Sequence, residues 1–111
     1  MHLLKELVHR TTLWTDREKA FSSLCSRLAD LHIPVEKEDK VSGEIVAQCL
    51  TTTMNAVLWR CWSDKLLLEV REIDEERTQI NVFAIPNLLR FKVGQHEKTV
   101  DLEALFSRLF T

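Results

Sequence analysis

Between Lys65 and Ala84 apolar residues recur at every second position, first Leu66, Leu68 and Val70, then Ile80, Val82 and Ala84. A repeat of two belongs to a β-strand, whose successive side chains point to opposite faces. The two runs are separated by the acidic segment Asp74-Glu75-Glu76, which reads as the turn of an antiparallel hairpin. A loop of three or five residues keeps both apolar sets on one face, whereas a slip of one would bury Gln79 and Asn81 instead. Upstream, Val57 to Trp62 is also rich in aliphatic and aromatic residues, and Ser63-Asp64 reads as a two-residue turn pairing Trp62 with Lys65. That pairing adds Val57, Trp59 and Cys61 to the face of Leu66, Leu68 and Val70, which must then be core.

The rest of the chain supplies a cover for that face. Thr15 with Glu18 forms a capping box, and Phe21, Leu24, Cys25, Leu28 and Leu31 or His32 follow at helical spacing. Pro34 ends this helix by excluding helical geometry from the residue before it. Val35 to Gly43 is a charged stretch suited to a strand and a turn, with Gly43 permitting a tight reversal into a strand over Glu44–Leu50. Thr51 to Asn55 read as a connector. Residues 7–13 suit a strand, because Thr11 and Thr12 are β-branched, although Leu3, Leu4, Leu7 and Val8 also fit a short helix. After Pro86, Leu88–Val93 reads as an edge strand or an ordered loop. Asp101 then caps a C-terminal helix with Leu102, Leu105, Phe106 and Leu109 on one stripe, and Val100 staples against Leu105. With 111 residues and 45% hydrophobic content, one core is expected and no staples are needed. The expected fold is therefore a single α+β domain over residues 1–111. It is a two-layer sandwich, an antiparallel sheet of about four to five strands with an N-terminal-half helix and a C-terminal helix packed on one face.

Chemistry is constrained mainly by what is missing. With only two glycines in the chain, Gly43 and Gly94, neither a P-loop nor a GxGxxG turn can be built. His2, His9, His32 and His96 show no ligand spacing, and His32 suits a helix C-terminus, where the dipole's negative end lies. Cys25, Cys49 and Cys61 form no CxxC pair and are odd in number, and they fit as buried thiols. The carboxylates at Glu36, Glu38 and Asp39 and at Glu72, Asp74, Glu75 and Glu76 read as solvated charged segments rather than acid–base pairs. No catalytic residue, metal or cofactor is assigned, and the reading leans away from an enzyme. Fifteen Lys and Arg against 17 Asp and Glu disfavour nucleic acid as a partner. No stretch is long and apolar enough to cross a membrane, no leader is visible, and unpaired cysteines suit the cytoplasm.

One feature points outward. The face opposite the core should carry Leu58, Arg60, Trp62, Lys65, Leu67, Glu69 and Arg71, joined by Gln79, Asn81 and Phe83. That mixture is too apolar for a plain solvated surface and has the composition of an interface centre. Arg60, Trp62, Lys65, Leu67, Arg71 and Phe83 are accordingly the candidate binding residues, with a protein partner or a homodimer as the leading expectation. The competing account is that residues 1–14 or Leu88–Val93 fold over this face. A small-ligand carrier with a pocket near Trp59 or Trp62, and a single-stranded nucleic-acid platform, are the alternatives in other classes.

Overall fold

The computed structural model describes residues 5–54, 60–86 and 101–110, in backbone only at 52–54 and 60–62. In chain order the elements are β1 (Glu6–Leu13), α1 (Arg17–Asp30), β2 (Val35–Asp39), β3 (Glu44–Met54), β4 (Arg60–Glu72), β5 (Thr78–Pro86) and α2 (Leu102–Leu109). The strands form one five-stranded sheet in the order β1-β5-β4-β3-β2, antiparallel at every pairing. Four successive strands, β2 to β5, thus lie side by side in three consecutive antiparallel pairings, and β1 pairs with the other edge of β5.

The pleat sorts the side chains as the alternation predicts. Opposite one another stand Leu66 and Ala84, Leu68 and Val82, and Val70 and Ile80, with Ile45 and Ala47 of β3 completing the same face against Leu68 and Leu66. All are buried and share one core with Ala20, Phe21, Leu24 and Leu28 of α1 and Leu105, Phe106 and Leu109 of α2. Both helices therefore cover one face of the sheet, giving two layers. Each fully buried Leu or Ile contributes roughly 1.5–3 kcal/mol relative to exposure. The β4–β5 loop spans 73–77, five residues between Glu72 and its partner Thr78, one of the two lengths that preserve this register.

The caps explain where the helices begin and end. Asp16, not Thr15, caps α1, its carboxylate accepting from the Lys19 backbone N–H at 2.8 Å. Thr15 instead offers its carbonyl to the buried Thr78 hydroxyl at 2.9 Å, tying the helix entry to β5. At the other end His32 takes a left-handed conformation with φ 58°. Its N–H donates to the Ala29 carbonyl, and the Ile33 N–H donates to that of Leu28, the paired bonds of a Schellman stop. Asp101 caps α2 through the N–H groups of Glu103 and Ala104. His9, on the core side of β1, stacks on Phe106 and Phe110 of that helix with centroids 4.5 and 5.2 Å away.

The segment around Ser63-Asp64 departs from the sequence reading. It does not turn: β4 runs straight through it, and its hairpin partner upstream is β3. Asp64 is the extra residue of a bulge, lying between Ser63, which faces Pro86, and Lys65, which faces Ile85. The fully buried Ser63 hydroxyl lies 2.9 Å from the Lys65 carbonyl and 2.8 Å from that of Ile85, which satisfies it inside the sheet. A bulge and a two-residue turn both admit polar residues and both shift the alternation by one, so Leu66, Leu68 and Val70 reach the core by either route. Thr51 to Met54 likewise continue β3 instead of serving as a connector. The side chains of Val57, Leu58, Trp59, Arg60, Cys61 and Trp62, together with Leu88–Val93, His2, His96 and Val100, lie outside the described residues.

Gly43 holds the β2–β3 turn against the sheet. At φ 76° it sits where L side chains are strained, and its carbonyl accepts from the Val70 N–H at 2.7 Å. A Cβ there would stand 2.4 Å from the Val70 carbonyl oxygen. The Arg17 guanidinium, at the first turn of α1, donates to the carbonyls of Lys40 and Val41 at 2.8 and 3.0 Å. Helix, turn and sheet are thereby fastened at one point.

Candidate interaction face

The register places one residue from each strand in a straight row across the sheet, on the side away from the helices. Leu7 faces Phe83, Phe83 faces Leu67, Leu67 faces Val46, and Val46 faces Lys37. Four adjacent strands thus contribute an unbroken apolar line. On one side of it run Arg10, Asn81, Glu69, Glu44 and Asp39, each the cross-strand partner of the next. On the other side stand Ile85, Lys65 and Gln48.

Among the described residues, no helix lies over this row. Residues 6–13 do not fold across the face; they widen it, pairing edge to edge with β5. Leu7 keeps 43% of its surface exposed, and Phe83 and Leu67 are half-buried by their neighbours in the sheet. Lys5 reaches inward, with its ammonium 4.3 Å from the centre of the Phe83 ring and 3.6 Å from the Glu69 carboxylate.

Polar groups around the row are held in place. The Arg10 guanidinium donates to the Asn81 amide oxygen at 2.7 Å, which accounts for the burial of Asn81 on an otherwise open face. Arg71 approaches Glu69 at 3.4 Å, and Lys65 reaches Glu36 at 3.0 Å.

Of the residues that the sequence singles out for binding, Lys65, Leu67, Arg71 and Phe83 come together on this face, while the side chains of Arg60 and Trp62 lie outside the described residues. Sequence reasoning missed Leu7, Arg10, Val46 and Gln48. Val46 and Gln48 alternate with Ile45 and Ala47, a signal that was present, whereas the pairing of β1 with β5 has no local signature.

Burial, followed by the nearby charge and hydrogen bonding of Glu38, pushes the Cys25 thiol up to about 11, and burial alone pushes Cys49 up to about 11. Both thiols therefore stay protonated near neutrality, unsuited to nucleophilic work. Asp39 is held below the ordinary carboxylate range by hydrogen bonds from Ser42 and Val41, and Asp74 by Arg77 and the Glu76 N–H. These acids fasten turns. No group of His, Cys, Asp and Glu suited to a metal ion occurs among the described residues, and none of their helices is long and apolar enough to cross a membrane. A groove of about 450 Å³ is open to solvent and lined by charged groups including Arg17, Glu44, Glu69 and Arg71.

No known family model matches the chain, and no curated protein is found to be related to it.

Proposed function

We propose that this chain is a non-enzymatic interaction module of the cytoplasm that meets a protein surface, a second copy of itself or another chain, through the outer face of its sheet. The observation that carries this reading is the apolar row of Leu7, Phe83, Leu67 and Val46, set on the side away from both helices. Apolar residues ringed by polar groups have the anatomy of an interface centre and rim. Free thiols at Cys25 and Cys49 suit a reducing compartment. A nucleic-acid strand is a poorer occupant, because Glu36, Glu44 and Glu69 interrupt the cations and leave no continuous track for phosphates.

Site-specific photocrosslinking tests the reading. A benzophenone side chain at position 83 of the full chain, irradiated in cells, should yield a protein adduct that Leu67→Asp abolishes. The same probe at the exposed position 23, on α1, should yield none. Equal absence of adducts at both positions would contradict the proposal.

A further inference from the structure

We infer that the occupant of the outer face is a second copy of this chain, related by a two-fold axis parallel to the central strand β4. The inference rests on the reading above and adds the identity and orientation of the partner. Its basis is the uneven charge of the face. The β1 margin carries Arg10 and no acid among its outward residues, which are completed by Leu7 and Thr12, while the ammonium of Lys5 reaches inward to Glu69. The opposite margin carries Glu36 and Asp39 of β2 with Glu44 at the start of β3, against Lys37 as the one cation of those strands' outward residues. One edge is basic and the other acidic.

Two ways of stacking the face on itself make opposite use of this polarity. A two-fold axis across the strands lays β1 on β1 and β2 on β2, setting the basic margin on itself and acid near acid. An axis along β4, the third of five strands, lays β1 over β2 and β5 over β3. Arg10 then meets the Asp39 and Glu44 corner, Phe83 covers Val46, and Leu67 meets itself on the axis. Like charges that fall near the axis are already neutralised within each copy, Lys65 by Glu36 at 3.0 Å and Glu69 by Lys5 at 3.6 Å and Arg71 at 3.4 Å. Such a contact is isologous and closes after two copies, so it does not propagate into fibres. Five strands about 4.8 Å apart and about seven residues long give a footprint of roughly 500 Å² per copy, or about 1,000 Å² in all, the lower bound for a specific interface. A dimer of micromolar strength is what that area supports.

Analytical ultracentrifugation of the purified full chain across the micromolar range tests this, with charge exchange as the second measurement. The 13.0 kDa chain should pass reversibly to twice its mass as concentration rises. Arg10→Glu and Glu44→Arg should each weaken association about tenfold, since each contact occurs twice, and the double variant should recover to within about threefold of the parent. Circular dichroism melting confirms that each variant is folded, which matters because Arg10 also holds Asn81. A chain that stays monomeric throughout, or folded single variants whose double shows no recovery, would overturn the inference. Monomeric behaviour with a crosslink from position 83 to a different protein would leave the interaction face standing and remove only the self-pairing. Loss of both signals would remove both.

Discussion

Leu67 and Leu68 are the same amino acid, adjacent on one strand, in opposite circumstances. Leu68 is fully buried between Ile45 and Val82 and beneath the helices, while Leu67 lies half-buried between Phe83 and Val46 on the side that no described helix covers. The pleat alone separates them, so composition says little about where a leucine in this segment ends up. What differs is the partner: the inner row has α1 and α2 from this chain, and the outer row takes one from elsewhere on the reading proposed above. Stability should therefore depend on the inner face and association on the outer.

The largest effect should come from testing that division directly. Leu68→Ala leaves a cavity in a closed core and should cost about 2–5 kcal/mol, while Leu67→Ala should cost under about 1 kcal/mol of folding stability in dilute protein. Chemical denaturation of both variants reads the difference, and equal losses would break the comparison. Next in size is Gly43→Ala, at about 1–3 kcal/mol, because the added Cβ strikes the Val70 carbonyl and the backbone sits at φ 76°. Thermal melting should show the loss, and Ser42→Ala beside it should show much less. Smaller still is Asp16→Ala, expected to cost about 1 kcal/mol by removing the cap of α1, and so to loosen the inner face without touching the outer. A photocrosslink from position 83 that survives this change would sharpen the distinction.

The thiols give no effect at neutral pH, and the effect that grows above it carries a sign. Cys25 and Cys49 titrate near 11 in the folded chain against an ordinary 9.0. Folding favours the protonated form, so their contribution is complete below pH 9.0 and is lost as pH rises towards 11. Melting temperature followed through that window should fall less steeply for Cys49→Ala than for the parent chain. An unchanged slope would place Cys49 outside the dry layer.

Much of this division was legible in the chain. The positions of Leu66, Leu68 and Val70 against Ile80, Val82 and Ala84 follow from strict alternation and a loop of odd length, both local properties. Asp101 and Gly43 were legible for a similar reason, since a capping carboxylate and a positive φ each call for particular residue types. Ser63-Asp64 misled because a polar pair inside a strand carries the same local signal as a turn. What decides between them is distant, namely the Ile85 carbonyl that accepts from Ser63 and the long β3 that pairs with β4. Thr15 and Asp16 are both good caps, and the choice fell on Asp16 once Thr15 was engaged by Thr78, 63 residues away. On the outer face Lys65, Leu67, Arg71 and Phe83 could be grouped from the hairpin alone. Leu7 and Arg10 could not, because their place there depends on β1 crossing to the edge of β5.

Hydroxyl-radical footprinting of the chain, in isolation at high dilution and again within cells, tests the central claim most directly. Leu7, Leu67 and Phe83 should be oxidised in the dilute protein and protected in cells, while Leu66 and Leu68 stay unreactive in both. Outer-row residues as reactive in cells as in dilute solution would mean that nothing covers this face, and the account would be wrong.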